Sequence, residues 1–439
     1  MTTAPFEARV ADRSAVVAVL GLGAVGLPLA RAFAQAGLRV LGFDTDREKL
    51  ARLAHGRGAP AHLGADFARE LLATGRFEPA ADFERLGECD AALVCVPTPL
   101  TPGQEPDLSD VLAAARTLAR GLPRGALAVL ESTTWPGTTR GPFAAAFRDA
   151  GRVPGADVLL AFSPEREDPG RAIDVRTVPK LVGGTCQESL RAATALYAAA
   201  FERVVPVSSA EVAEAAKLLE NVYRAVNIAL VNELKVAFHA LGVDPGEVVD
   251  AAATKPFGFQ RFTPGPGTGG HCIPIDPHYL AWAARAAGVP LPLVASATRV
   301  NAAMPAYVVD RAELALASQG RTLRGARALV LGLAYKADVD ITAESPALRV
   351  LAELAERGAR AAFSDPHVPQ APASALLQPE ARTSVALDAQ ALESADVVLV
   401  VTDHAAFDLD LVSRHARLVV DARRALEGRM RGDPRYFQA

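Results

Sequence analysis

The hydrophobic pattern of this chain changes period twice. Residues 15–20, Ala-Val-Val-Ala-Val-Leu, are continuously apolar, as expected of a parallel strand buried on both faces. Runs of the same kind occupy 39–43, 91–96, 126–130 and 158–162, with helical stretches between them. The first of those stretches predicts a helix over 27–36, stopped by Gly37. From Ala210 the apolar positions recur at helical spacing, uninterrupted by proline, until Gly242. That exceeds an ordinary globular helix and predicts either a span between domains or the core of a dimer. A further helical region runs to about Gln319. Short apolar runs then return at 329–331, 361–363, 397–401 and 417–420. The last three end in polar groups: Asp365, Thr402-Asp403 and Asp421.

The first apolar run leads directly into Gly21-Leu22-Gly23-Ala24-Val25-Gly26, and the second ends at Asp44. Strand, glycine turn, helix and second strand with a terminal acid form a dinucleotide-binding fingerprint. The glycines tighten the turn and admit a pyrophosphate to a helix N-terminus, and the acid about 20 residues on takes the ribose hydroxyls. Gly21, Gly23, Val25, Gly26 and Asp44 are therefore candidate cofactor contacts. Asp44 favours NAD over NADP, whose 2′-phosphate would meet its charge; Arg47, close by, works against that preference. The apolar run at 329–331 begins a second strand–turn–helix unit at Gly332-Leu333-Ala334-Tyr335-Lys336. It lacks the GxGxxG spacing and is not expected to hold a second dinucleotide in the same way. The predicted fold is α/β, with two Rossmann-like doubly wound domains joined by a long central helix and a helical middle domain. The expected boundaries are 1–207, 208–318 and 319–439.

Composition narrows the partners. Half the residues are hydrophobic, 22% are charged and the formal net charge is −4, so no basic surface calls for nucleic acid or acidic lipid. Residues 1–13 are polar and of mixed charge, unlike a signal peptide. No apolar run is long enough to span a bilayer. Cys89, Cys95, Cys186 and Cys272 form neither CxxC nor metal-ligand spacing, so no metal is expected. The expectation is reduced thiols in a cytoplasmic protein.

Candidate chemistry clusters in four places. Pro97-Thr98-Pro99 and Glu131-Ser132-Thr133-Thr134 follow two predicted strands, where open parallel sheets bind ligands, although such hydroxyls also cap helices. Ser163-Pro164-Glu165-Arg166-Glu167-Asp168-Pro169-Gly170 follows a third strand and reads equally as a solvated turn. Lys217 and Asn221 share one face of the long helix, and taken alone suit its surface better than catalysis. Asn227 and Asn232 stand among apolar residues as candidate interhelical partners. The run Gly265-Pro266-Gly267-Thr268-Gly269-Gly270-His271-Cys272-Ile273-Pro274-Ile275-Asp276 is the most informative. Its glycines let the backbone come close to something, and it delivers a thiol and a carboxylate together. That suits covalent catalysis, against the plainer reading of a glycine turn with a small buried cysteine.

Taken together, Gly21–Gly26, residues 163–170, Lys217 with Asn221, and Gly269-Gly270-His271-Cys272 with Asp276 resemble the UDP-glucose/GDP-mannose dehydrogenase family in order and spacing. The similarity extends to Val419-Val420-Asp421-Ala422-Arg423 and is strongest to bacterial UDP-N-acetylglucosamine 6-dehydrogenases. The resemblance implies two NAD-dependent oxidations of a UDP-sugar C6 hydroxyl to a carboxylate. Cys272 would hold the intermediate aldehyde. Lys217 and Asn221 would stabilise oxyanions, Asp276 would hold a water, Glu165 would act as acid/base and Thr133 would position water. Pro97, Thr98 and Thr133 would line the cofactor. Arg166, Arg261, Gly269, Gly270 and Lys336, with Lys217 and Asn221, would meet substrate. A homodimer through residues 210–240 and a place in polysaccharide synthesis are also implied.

Two positions depart from the family. Many relatives carry Pro-Glu-Phe-Leu-x-Glu where this chain has Pro164-Glu165-Arg166-Glu167-Asp168-Pro169. Ala343 replaces a usual arginine, which weakens the expected cation set. The alternatives are the 6-dehydrogenases of UDP-N-acetylmannosamine or UDP-glucose, a one-step β-hydroxyacid-type dehydrogenase, and a nucleotide-sugar-binding paralogue without catalysis.

Overall fold

The computed structural model describes residues 5–166, 173–373, 375, 377 and 381–439. The chain folds as two compact units, Met1–Glu220 with His278–Val289, and Asn221–Pro277 with Pro290–Ala439. In the first unit eight strands make one sheet: β1 (Val16–Leu20), β2 (Arg39–Phe43), β3 (Phe77–Ala80), β4 (Ala91–Val94), β5 (Leu127–Leu130), β6 (Leu159–Phe162), β7 (Lys180–Gly184) and β8 (Val204–Val207). Their order is β3-β2-β1-β4-β5-β6-β7-β8. All neighbours are parallel except β6 and β7. β1 is central, with Val17 opposite both Val40 and Ala91, and all five of its residues are buried. That double burial is why it reads as an unbroken apolar run.

Three strands of this sheet escaped the sequence reading. β3 carries Glu78 and Pro79 and β8 carries Pro206. Both are edge strands, where a missing amide or a charge is tolerated. β7 begins with a lysine and ends in Gly183-Gly184, which hides its short apolar centre. Gly183 is obligatory there: a Cβ would stand 2.2 Å from the Ser209 carbonyl oxygen.

The second unit holds a five-stranded parallel sheet: β9 (Arg327–Leu331), β10 (Arg360–Ser364), β11 (Val397–Val400), β12 (Val419–Asp421) and β13 (Tyr436–Gln438). The order is β10-β9-β11-β12-β13, so the winding reverses between β9 and β11. The helices Pro292–Ala317 and Pro346–Glu356 cover one face with Val308, Val309, Ala312, Val350 and Leu354.

The long helix runs unbroken over Ala210–Ala240. Gly242, at φ +72°, ends it, and the Val243 amide donates back to the Phe238 carbonyl at 2.9 Å. Asn232 is an interhelical partner: its Nδ2 donates to Asn301 Oδ1 at 3.1 Å and its Oδ1 accepts from Gly265 N at 2.9 Å. Asn227 is not; its Nδ2 donates to Tyr223 O within the same helix. Among the described residues, no helix is long and apolar enough to cross a membrane.

Candidate active site

The three glycines after β1 do three different things. Gly21 sits at φ +91°, and a Cβ there would stand 2.6 Å from the Cys95 carbonyl oxygen, so it permits the close approach of the turn to β4. Gly26 begins the helix Gly26–Gln35, where a Cβ would meet the Gly21 carbonyl at 1.9 Å. Around Gly23 nothing lies within 4 Å of an added Cβ, which leaves its face open to a pyrophosphate. Val25 is half-buried beside them.

Asp44 closes β2, accepting from Leu22 N at 2.9 Å and from Lys49 Nζ at 2.8 Å. Burial works against its charge, but the bonds from Lys49, Asp46 and Leu22 hold its carboxyl below the usual range. It is thus ionised and pre-aimed. Lys49, which the sequence reading missed, is its cation, whereas Arg47 is exposed at the start of the helix Arg47–Ala54. Pro97 is exposed and Thr98 half-buried after β4; Thr133 is half-buried after β5. Ser132 caps no helix: its Oγ donates to Val96 O at 2.7 Å, tying two strand ends.

The charged cluster beyond these strands is buried. Lys180 Nζ, at the start of β7, lies 2.6 Å from Glu131 Oε2 and 3.1 Å from the Pro164 carbonyl. The Tyr197 hydroxyl donates to the other Glu131 oxygen. Lys217 is not a surface residue; it is 5% exposed, and its Nζ donates to the Glu165 carbonyl at 2.5 Å. Two lysines therefore hold the consecutive carbonyls of Pro164 and Glu165. Burial raises the Glu165 carboxyl above the usual range, more than Lys217 and Lys180 lower it. A cavity of about 20 Å³, lined in part by Glu131, Glu165, Arg166 and Lys180, adjoins them. That is room for one water with polar partners. Arg166 does not point a bare fork at a ligand: Glu220 takes it as an ion pair, with Nε–Oε1 at 3.0 Å, and Pro179 O accepts from Nη1 at 2.9 Å. Glu167 to Gly170 of the same motif lie outside the described residues.

Glu214, one turn before Lys217, accepts from Gly137 N at 2.6 Å and from Thr139 N and Oγ1 at 2.8 and 2.7 Å. It pins the segment after β5 to the long helix. Its signal in the sequence was an acid on the helix face that also carries Lys217.

In the second unit the glycine loop does come close to something, and that something is the chain itself. A Cβ on Gly269 would stand 2.8 Å from Tyr335 Cβ and 2.9 Å from the Glu344 carbonyl. Gly270, at φ +83°, faces the Tyr335 ring at 2.9 Å, and its amide donates to Ala343 O at 2.9 Å. The loop then turns tightly, with Ile275 N and Asp276 N donating to the Cys272 carbonyl at 3.1 and 2.8 Å. Cys272 is half-buried, and Asp276 opens the helix Asp276–Ala286. Asn221 Nδ2 donates to Asp276 Oδ2 at 2.5 Å, so two predicted site residues do meet. Arg261 is exposed and paired with Asp250 at 2.7 Å. Lys336 is half-buried in the turn after β9.

That turn repeats the first unit's geometry with one change. Gly332, at φ +85°, matches Gly21, and Asp365 after β10 accepts from Leu333 N at 2.6 Å as Asp44 does from Leu22. Asp365 is also bonded by Ala334 N, His367 N, Val368 N and His404 Nε2. Its carboxylate serves its own loops rather than a ribose.

A glycine turn open at Gly23, an ionised acid after β2, and a thiol on a glycine loop with a carboxylate four residues on define the class: an NAD-dependent dehydrogenase. Three family profiles match in register. They are the UDP-glucose/GDP-mannose dehydrogenase NAD binding domain over residues 15–201, the central domain over 211–303 and the UDP binding domain over 329–428. A UDP-N-acetyl-D-mannosamine dehydrogenase of Pyrococcus horikoshii is 33% identical over 94% of this chain and 96% of its own. The solved structure of the UDP-D-ManNAc dehydrogenase from that organism matches with TM-score 0.86 at 32% identity, over 96% of this chain and 98% of the other. A UDP-N-acetyl-D-glucosamine 6-dehydrogenase of Pseudomonas aeruginosa is 34% identical over 80% of this chain and 83% of its own. The chain belongs to the UDP-glucose/GDP-mannose dehydrogenase family: it is a UDP-sugar dehydrogenase that uses NAD.

Proposed function

We propose that this enzyme oxidises a UDP-N-acetylhexosamine, UDP-N-acetylglucosamine by preference, at C6 to the uronic acid in two steps. NAD, when bound at the Gly21–Gly26 turn, accepts a hydride in each. Removal of the hydroxyl proton and a hydride gives the C6 aldehyde. The Cys272 thiolate adds to that carbonyl, forming a C–S bond and a thiohemiacetal. Loss of a second hydride leaves a thioester, which water hydrolyses to carboxylate and thiol. A thiol suits both duties, because it traps the aldehyde and then leaves as an acyl leaving group.

Lys217 supplies the cation for developing oxyanions, with Asn221 as a donor on the same helix face. Glu165, whose carboxyl burial raises, serves as the acid and returns as base in the hydrolysis. Asp276, held by Asn221, orients the water. Thr133 helps to position water beside the cofactor. Gly269, Gly270, Lys336, Arg261 and Arg166 serve the substrate, Arg166 by exchanging Glu220 for a ligand oxygen or by ordering Glu220 itself. The observation that carries the reading is the 2.5 Å Asn221–Asp276 bond, four residues after Cys272.

The long relatives named for N-acetylmannosamine support UDP-N-acetylmannosamine as the second reading. NADH formed per UDP-sugar consumed, with the N-acetylated sugars and UDP-glucose in parallel, separates them. Two NADH per UDP-N-acetylglucosamine is expected. Two with another sugar moves the specificity, and one NADH with any sugar removes the thioester role of Cys272. Cys272→Ser should abolish complete oxidation, whereas a one-step dehydrogenase would barely notice it. We also propose a homodimer through the long helix.

A further inference from the structure

We propose that Asp338, His367 and His404 form a binding site for a divalent transition metal ion, of the kind that imidazole and carboxylate ligands prefer. The three side chains come from the segments after β9, β10 and β11, at the carboxyl ends of the strands where the winding reverses. Each offers one ligand atom, and the three atoms all lie within 4.8 Å of one another. His367 Nε2 is 3.7 Å and His404 Nδ1 3.9 Å from Asp338 Oδ1, and the two rings are 4.9 Å apart at their centroids. Metal–ligand bonds of about 2.0–2.2 Å draw such atoms to about 3.3–3.5 Å apart. The required closure is a few tenths of an ångström on the two pairs with Asp338 and at most about 1.5 Å between the two imidazole nitrogens, and it falls on the exposed members, Asp338 and His367.

The outer support is already built. His404 is fully buried, and its Nε2 lies 3.0 Å from Asp365 Oδ2. Its Nδ1 accepts the Asp338 amide at 2.9 Å. These two bonds fix the tautomer: the proton is on Nε2, and the lone pair is on the nitrogen facing Asp338 and His367. A carboxylate behind the far nitrogen of a histidine is the usual outer-shell arrangement of a metal ligand. Asp365 is itself fixed by four backbone amides, those of Leu333, Ala334, His367 and Val368. The ion takes the lone pair now used by the Asp338 amide. That amide sits at φ +60°, in an exposed residue, and turns to water. Asp338 Oδ1 also accepts from Ala405 N at 2.9 Å, leaving its other lone pairs for the ion. Water completes the coordination. The bound ion ties the turn that carries Lys336 to the segments after β10 and β11. An N₂O ligand set suits Zn²⁺, Ni²⁺ and Co²⁺.

The test uses the full-length chain, stripped with a chelator and titrated with ZnCl₂ by calorimetry and with CoCl₂ by visible spectroscopy. The expected result is one ion per chain, with a Co²⁺ spectrum free of thiolate charge transfer. His367→Ala and Asp338→Asn, both exposed and so tolerant of substitution, should each weaken the affinity about tenfold or more while NAD affinity stays unchanged. Equal affinity in the wild type and both variants would overturn the site. So would a thiolate charge-transfer band, which puts the ion on a cysteine, or no uptake at ion concentrations tenfold above the protein.

Discussion

Lys180 shows how much of the site rests on residues that touch no reacting atom. Its side chain is 7% exposed and that of Glu131 is fully buried, so their 2.6 Å pair is shielded from solvent. Removing the cation leaves a buried carboxylate whose remaining hydrogen-bond partner is the Tyr197 hydroxyl, which costs about 3–5 kcal/mol. It also frees the Pro164 carbonyl next to Glu165. Lys180→Met should therefore lower the urea-unfolding free energy by about that amount, whereas Lys180→Arg should keep most of it; a loss below about 1 kcal/mol in the Met variant would contradict the pairing. Lys235 gives the opposite kind of evidence. Burial, with Arg423 and Arg311 nearby, lowers it from 10.5 to about 7, while its Nζ donates to the Gly265 carbonyl at 2.9 Å. Its folded pKa lies below the unfolded one. The unfolded chain therefore holds more protons between pH 7 and 10.5, and stability rises with pH across that window. Below pH 7 the penalty is present in full. Guanidinium unfolding should show wild-type stability gaining up to about 2–3 kcal/mol more than Lys235→Met between pH 7 and pH 9.

Among the elements, the glycine loop makes the sharpest demand. Gly269 faces Tyr335 Cβ, the Glu344 carbonyl and Pro346 Cδ, all within 2.9 Å of an added Cβ, and the carbonyl cannot rotate away. Gly269→Ala should cost about 1–3 kcal/mol and reduce turnover with it, since the same loop leads to Cys272. Gly141→Ala is the control: nothing lies within 4 Å of its Cβ, so its thermal midpoint should barely move. A midpoint shift in the control as large as that in Gly269→Ala would sink the steric account. The loop was visible in the sequence as a demand for close approach, but its target was not. Tyr335 lies 65 positions or more away, and no local pattern names a partner at that range. Strands followed the same division. β1, β2 and β11 are buried on both faces and betray themselves by unbroken apolar runs, whereas β3, β8 and β13 are edges whose polar residues are allowed because one side is unpaired.

For the whole molecule, the long helix exposes Val212, Leu219, Tyr223, Leu230 and Leu234. They fall at intervals of seven and four, the spacing of one helix face. A stripe with that period fits an equivalent helix, which a second copy of the chain would supply in the proposed homodimer. Light scattering after gel filtration should give a dimer for the wild type, and Leu219→Glu with Leu230→Glu should shift it toward monomer; a wild-type monomer at micromolar concentration would reject the interface. By itself the sequence determined the doubly buried strands, the long helix and the nucleotide turn, because periodicity and glycine geometry act over neighbouring residues. Only the tertiary structure decided that Lys180 meets Glu131, that Lys217 is buried against the Glu165 carbonyl, that Arg166 is engaged by Glu220, and that His404 stands behind Asp365. Those pairs join residues 39 to 54 positions apart. They are settled by the cost of leaving a buried polar group without a partner, which becomes defined only once the chain has folded.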